Sequence, residues 1–433
     1  MIRRTVAEWG RLAYGSGPEQ IEETTAVRLA AVARALPLAG TDGSGILTLG
    51  RKELKVGQMV GVLAAQGCAL EILPKIGELD EGGVRRQLVR MLAVTHDLDV
   101  SAGALSELDW QRDDLLEILI RLFAQMLTEA VRRGMPRRYV GYEDDLPVLR
   151  GRLDPARQFT RLAASPQFLA CRFDALSADI SLNRIMKAAV LRLQSLARRA
   201  ETRRTLTELA FAYADIREVP VEALRFDDVI LDRTNARWRD LLALARLLLQ
   251  GRFQTTSGGA SAGFSLLFPM NALFETYVAR MLARVLRGSG QRVVAQGGLL
   301  YCLEDPESGT KKFCTKPDIL VKRDRETTLV IDTKWKRLAP IIDDPKQGVS
   351  QSDIYQMMAY GRLYCCTRLL LLYPHHAQLD AGPGLCSRHR VVSSHDELFV
   401  GTIDLSNINN VPDILSNLVL SCYMNSEDGR EQH

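Results

Sequence analysis

Along residues 1–80 short apolar runs alternate with turn residues. Ile46-Leu47-Thr48-Leu49, the run 56–63 and the run 69–76 follow the turn-rich stretch 40–45, and spacing of this kind predicts a small β-rich domain. Within it, 25–36 has the 3.6-residue periodicity of a helix. From Gly82 the helical period takes over. It covers 84–93, and then 113–133, where Leu115, Leu116, Leu119, Ile120, Leu122, Phe123 and Met126 form one apolar face and Gly134 supplies the stop. Further helices over 183–199, 203–214 and 235–250 predict a mostly helical middle region, 81–254. Inside it, 139–154 reads as an extended or hairpin element whose alternation sets Leu149 and Leu153 opposite Arg150 and Arg152.

The stretch 255–263, rich in Gly, Ser and Thr, predicts a linker. Beyond it, 264–433 follows an α/β pattern. Helix 271–287 leads to strands near 293–303 and 312–335, helix 352–364, strands 369–373 and 398–403, and a C-terminal helix from Val411 or Pro412. Leu369-Leu370-Leu371-Leu372-Tyr373 is continuously apolar, as a central strand covered on both faces requires. The fold class expected is multidomain α+β: a β-rich N-terminal domain, a helical middle region and a C-terminal α/β domain.

Composition narrows the function classes. With 433 residues, 46% hydrophobic and 25% charged, the chain is long enough for two or three cores and is ordinary for a soluble protein. No apolar run reaches membrane-spanning length, and Met1-Ile2-Arg3-Arg4-Thr5 has no apolar segment behind it, so neither a membrane nor secretion is expected. Eight scattered cysteines without a C-x-x-C pair read as free thiols of a reducing cytoplasm. Cys365-Cys366 and His375-His376 allow either a zinc site or ordinary strand-end histidines. No Gly-Lys-Ser/Thr follows the glycines of 255–263, so this chain alone is expected to bind no nucleotide. The net charge of +4 is small, but Arg132, Arg133, Arg137, Arg138, Arg150, Arg152, Arg157 and Arg161 crowd one segment. They form either a phosphate-holding surface or a solvated face, since Glu143-Asp144-Asp145 lies among them.

The residues that carry chemistry lie between 275 and 360. The segment 328–335 is a buried-strand pattern interrupted by Asp332 and Lys334, which share a face about 7 Å apart along the chain. Asp318 begins a strand over 319–322, and the polar Arg323-Asp324-Arg325-Glu326 turns the chain back, so a hairpin sets Asp318 beside Asp332. Two carboxylates converging near a lysine suit a hard divalent cation and an activated water. The same tripeptide can also be a surface ion pair on a hairpin. Glu275 falls on the apolar side of its helix, and Ser350-Gln351-Ser352-Asp353 opens, with a capping-box signature, a helix on which Gln356 and Tyr360 share a face.

The order helix Glu275, strand Asp318, strand Asp332-Thr333-Lys334, helix Gln356-x-x-x-Tyr360 resembles the PD-(D/E)XK nuclease superfamily, and the last element its RecB-like branch. The wording Phe268-Pro269-Met270-Asn271-Ala272-Leu273-Phe274-Glu275 and Asp332-Thr333-Lys334-Trp335-Lys336 is similar to the McrC family, the nuclease subunit of the 5-methylcytosine-dependent restriction system. So are Leu70-Glu71-Ile72-Leu73-Pro74-Lys75-Ile76 and Leu149-Arg150-Gly151-Arg152-Leu153 with Arg157-Gln158. Extra length over 77–109 and 205–229 departs from the family.

The resemblance implies a Mg²⁺-dependent DNA endonuclease, Mn²⁺ being an alternative. Asp318 and Asp332 would hold the metal with the Thr333 carbonyl and with Glu275, directly or through water. Lys334 would orient or deprotonate the water, or stabilise phosphate charge. Gln356 and Tyr360 would support the site or touch the DNA backbone, and Lys316 and Lys336 would reach phosphates. It further implies a partner, a hexameric McrB-like AAA+ GTPase that recognises methylated double-stranded DNA. Residues 1 to about 250 would dock on that partner and stimulate it, with Arg150, Arg152 and Arg157 as candidate contacts to partner or DNA. Alternatives from other classes are a non-catalytic scaffold that regulates the GTPase and a stand-alone RecB-like nuclease.

Overall fold

A computed structural model of the chain describes residues 2–36, 45–100, 102–106, 108–233, 235–250, 253–254, 263–338, 349–392 and 394–424. Of the expected turn at 40–45 only Gly45, and of the expected linker at 255–263 only Gly263, lies among them. The architecture is mixed α/β and falls into two compact units. One comprises Met1–Asp99, Asp109–Leu116 and Gly251–His433, the other Val100–Leu108 and Glu117–Gln250. These units do not follow three consecutive blocks. The helix Glu81–Thr95 joins the first unit, and the N-terminal and C-terminal regions share a sheet.

That sheet has five strands in the order Ile2–Ala7, Cys68–Leu73, Met59–Ala65, Gly263–Pro269, Phe253–Gln254. Ile2–Ala7 runs parallel to Cys68–Leu73, and Met59–Ala65 pairs antiparallel with both of its neighbours. Gly61, at φ +128°, sits where an added Cβ would meet the Leu266 carbonyl at 1.9 Å, so glycine is what lets these strands approach. Helix Glu23–Arg34 places Leu29, Ala30 and Ala33 against Leu63, Leu70, Ile72 and Leu267, as its apolar period requires.

The second sheet of this unit has six strands: Gln291–Ala295, Ile319–Arg323, Glu326–Thr333, Arg368–Pro374, Glu397–Ile403 and Gly384–Arg390, in that spatial order. The central three are parallel and the outer pairs antiparallel. Leu369 to Tyr373 are all buried between two parallel neighbours, in line with the continuous apolar run. Leu320, Val330, Leu369 and Leu371 meet Met357 and Tyr360 of helix Gln351–Leu363. Helices Met270–Val285 and Val411–Met424 pack on each other and on the same sheet.

The run expected as one strand over 293–303 breaks after Ala295, because Gln296 and Leu299 take left-handed conformations at φ 48° and 49°. Tyr301–Glu304 and Lys311–Cys314 then form a separate exposed hairpin. Gly384–Arg390 is an edge strand that the polar sequence Gly-Leu-Cys-Ser-Arg-His-Arg did not signal.

In the other unit, helices Ser181–Leu196, Ala200–Ala212 and Arg239–Gln250 lie close to the expected ranges. The element 139–154 is not a hairpin on itself. Arg138–Leu146 pairs along nine residues with Leu169–Ser177, and Arg152–Leu153 takes that strand's other edge. The crossing needs Gly151, at φ +71°, where a Cβ would lie 2.3 Å from the Arg172 carbonyl oxygen. Among the described residues no helix is long and apolar enough to cross a membrane.

Candidate functional site

The hairpin Ile319–Arg323/Glu326–Thr333 pairs Ile319 with Ile331, which sets Asp318 beside the end of the second strand. There the Asp318 carboxylate accepts hydrogen bonds from Thr333 N (2.7 Å) and Thr333 Oγ1 (2.8 Å). Asp332 is 2% exposed, and the Lys334 ammonium lies 2.6 Å from its Oδ2. The strand ends at Thr333, but the Lys334 N–H still donates to the Leu372 carbonyl at 2.9 Å, so both residues remain anchored to the central sheet.

Helix Gln351–Leu363 supplies the next wall. Ser350 caps it, accepting from Asp353 N, as the capping-box pattern requires. One turn on, Gln356 Oε1 accepts from Lys334 Nζ at 3.0 Å while Gln356 Nε2 donates to the Tyr360 hydroxyl at 2.8 Å. Gln356 and Tyr360 therefore support the lysine as a relay at i, i+4 spacing. Asp353, which the sequence marked only as part of the cap, is buried, lies 3.7 Å from Lys334 and pairs with Lys336.

Glu275 comes from helix Met270–Val285 and is half-buried. It bonds to Gln296, whose Oε1 also accepts from Lys316 Nζ at 2.8 Å. Burial, then the nearby Asp318, push the Glu275 carboxyl up to about 7, with Asp332 adding to the rise. Asp332 is pushed up to about 6 by burial and by Asp318, against the pull of Lys334. Burial works against the Lys334 charge, yet Asp332 outweighs it and holds the ammonium above its usual value. Asp353 goes the other way, because Lys336 and Ser350 more than offset its burial.

These groups line one open cleft of about 570 Å³ that contains Glu275, Asp318, Asp332, Thr333, Lys334, Lys336 and Gln356. The sequence-predicted carboxylates and lysine thus converge, with Gln356. Tyr360 stands behind Gln356, and Lys316 reaches the cleft through Gln296. Lys336 lies in the cleft but is engaged by Asp353 and by the Tyr373 ring, 5.9 Å away.

Four further lining residues come from elsewhere: Trp9, Gln58, Asn271 and Trp335. Gln58 and Asn271 exchange hydrogen bonds of 2.8 and 3.1 Å, and Gln58 also donates to the Trp335 carbonyl at 3.1 Å. Asn271 precedes Glu275 by one helical turn, a signal that could have been used; Trp9 and Gln58 gave none.

Arg150, Arg152 and Arg157 belong to the other unit. Arg157 pairs with Asp145 at 2.7 Å and Glu143 at 3.9 Å, Arg150 lies 4.1 Å over the Phe173 ring, and Arg152 is exposed. The histidine pair has ordinary partners, His376 with the Leu338 carbonyl and His375 with Thr402. None of the eight cysteines, all among the described residues, is in a disulfide. Among the described residues no group of three His, Cys, Asp or Glu side chains is drawn together so as to hold a metal ion, which includes the carboxylates of the cleft as they stand.

The search of curated proteins finds no match. Among solved structures, the chain is similar to one of the refined half-complex from the tetradecameric assembly of Thermococcus gammatolerans McrB AAA+ hexamers with bound McrC. That likeness has a TM-score of 0.75 and 21% identity, over 97% of this chain and 99% of that one. It is also similar to a chain of the Thermococcus gammatolerans McrBC complex, with a TM-score of 0.53 and 24% identity, over 66% of this chain and 88% of that one. Both likenesses bear on the fold. The model of the family described as McrBC 5-methylcytosine restriction system component matches residues 54–374, a span that takes in Glu275, Asp318, Asp332, Lys334, Gln356 and Tyr360. The chain therefore belongs to the McrBC 5-methylcytosine restriction system component family.

Proposed function

We propose that this chain is an McrC-like DNA endonuclease subunit, hydrolysing phosphodiesters at a PD-(D/E)XK-type site with Mg²⁺ or Mn²⁺. The observation that carries the reading is the convergence of Glu275, Asp318, Asp332, Lys334 and Gln356 on one cleft. The donor set fits a hard cation. Burial first, and the nearby Asp318 second, raise Glu275 and Asp332 toward neutral pH, and a divalent ion drawing these carboxylates in would offset both the burial and the repulsion. Asp318 and Asp332 would hold it, with Glu275 directly or through water and the Thr333 carbonyl. When bound, such an ion polarises a phosphoryl oxygen and lowers the pKa of a water.

The chain's own residues have separable tasks. The upward shift of the Lys334 ammonium favours a fixed positive charge facing the phosphate over a general base. Gln356 and Tyr360 hold that ammonium in place, and Asp353 neutralises Lys336.

The structural neighbours come from assemblies of McrB AAA+ hexamers with McrC. Together with the family match, this supports a McrB-like GTPase as partner, one that would select methylated double-stranded DNA while this chain cuts it. The test combines the chain with such a partner, GTP, Mg²⁺ and methylated DNA. Cleavage is expected, and Asp332→Asn should lower it by at least about a hundredfold, the scale set by loss of one charge-stabilising group. Circular dichroism and partner assembly should be unchanged. Retained cleavage in Asp332→Asn would remove the catalytic assignment.

A further inference from the structure

Three of the four tryptophans are interior: Trp238, Trp110 and Trp335 are 0, 6 and 8% exposed. Trp9 is 59% exposed and lines the cleft that holds Asp318, Asp332 and Lys334. An indole that is more than half open among carboxylates and amides forgoes most of what burial would contribute. Its backbone is also unusual, at φ 58°, a left-handed conformation that side chains other than Asn and Asp seldom adopt.

The surroundings keep it there. Glu8, 1% exposed, accepts both bonds of a fork from Trp335 Nε1, at 2.8 and 3.0 Å, and a third from Lys75 N at 2.9 Å. The Trp9 N–H donates to the Gly57 carbonyl and the Gly10 N–H to Ala7, closing a tight turn. A Cβ on Gly10 would meet the Ala7 carbonyl oxygen at 2.5 Å, so no larger residue completes that turn as it stands. Trp335 directly follows Asp332-Thr333-Lys334, and the exposed ring is thereby tied to the end of the catalytic strand.

We infer that Trp9 is a stacking platform for an unpaired nucleobase of the DNA strand that enters the cleft. This rests on the nuclease reading and deepens it. The charged groups of the cleft, Lys334 and the carboxylates that would hold a cation, address the phosphate and not the base beside it, and the exposed Trp9 ring is the aromatic face the same cleft presents. An indole face stacks on any base, whatever its identity. Stacking on a base requires that base to leave its neighbours, so the site takes a locally unpaired strand.

The arrangement of the four tryptophans makes the test direct, because the emission that acrylamide reaches is that of Trp9. The full chain carrying Asp332→Asn is titrated in Mg²⁺ with a twelve-nucleotide oligothymidylate and with an abasic phosphodiester oligomer of equal length. Oligothymidylate should shield the accessible emission and bind roughly tenfold or more tightly than the abasic oligomer. Trp9→Ala should abolish that preference, and Trp9→Phe should keep part of it. Equal binding of the two oligomers, or an undiminished preference in Trp9→Ala, overturns the inference. Cleavage by the chain with its GTPase partner and GTP is measured beside it. Cutting without any dependence on Trp9 removes the platform alone, whereas stacking without cutting removes the nuclease reading.

Discussion

Asp332 and Glu275 bind protons at a pH where free carboxyls have lost them, and that has a sign. Their folded values, about 6 and about 7, lie above the ordinary 3.8 and 4.5. The folded chain therefore holds more protons than the unfolded one, and without a cation the site's contribution to stability is complete below about pH 4 and is lost as pH rises toward 7. A divalent cation competes with those protons. Mg²⁺ should therefore raise the melting temperature more at pH 8 than at pH 5.5, and cleavage should climb through the interval between those values. A thermal shift by Mg²⁺ that is the same at both pH values would count against the carboxylates as its ligands. Glu275, Asp318, Asp332 and Lys334 could be read in the sequence because charged residues set in apolar periodicity stand out. The role of Lys336 could not, since it depends on Asp353 and on the Tyr373 ring lying within reach.

At the scale of elements, the hairpin and its helix are decided by short-range patterns. Strands Ile319–Arg323 and Glu326–Thr333 are joined by a turn with Asp324 at φ 55°, and their register alone brings Asp318 to Thr333. Helix Gln351–Leu363 starts where Ser350 caps it and delivers Asp353, Gln356 and Tyr360 to the site in successive turns. Ser350→Ala should cost about 1 kcal/mol, read as a lower denaturation midpoint, because it leaves an end N–H of the helix without its side-chain acceptor. An unchanged midpoint would mean that water replaces the cap. The strand expected over 293–303 shows where pattern fails. Apolar residues resume at Leu299, but Gln296-Gly297-Gly298 interrupts the run, the left-handed Gln296 turns the chain, and its side chain goes to Glu275 and Lys316.

At the scale of the whole molecule, a buried charge network in the first unit ties its five-stranded sheet to the helix Glu81–Thr95. Glu71 accepts from Arg85 at 2.9 and 2.8 Å, from Leu115 N at 2.8 Å, from Thr5 at 3.0 Å and from Arg3 at 3.2 Å. Glu71 and Arg85 are each 1% exposed. Arg85 also donates to the Trp110 carbonyl at 3.1 Å, so strand, helix and the segment 109–116 share one cluster. Glu71→Ala leaves the buried Arg85 guanidinium with only the exposed Glu81, at 2.6 Å, and the Trp110 carbonyl as partners and should cost about 3 kcal/mol, whereas Glu71→Met with Arg85→Leu should recover most of that loss. Thermal melting of the two variants checks it, and equal melting temperatures would show that the pair does not act as a unit.

Sequence alone determined the class of most elements, the hairpin that joins Asp318 to Asp332, the cap before Asp353 and the family resemblance, because each is written in residues a few positions apart. Only the tertiary structure decided that strand Gly263–Pro269 joins the N-terminal sheet, that Gln58 bonds Asn271 across 213 positions, that Glu8 bonds Trp335, and that Trp9 lines the cleft that holds Lys334. Contacts of that span leave no periodicity. They are fixed by which surfaces bury each other when the whole chain packs, and a local pattern of polar and apolar residues does not contain that information.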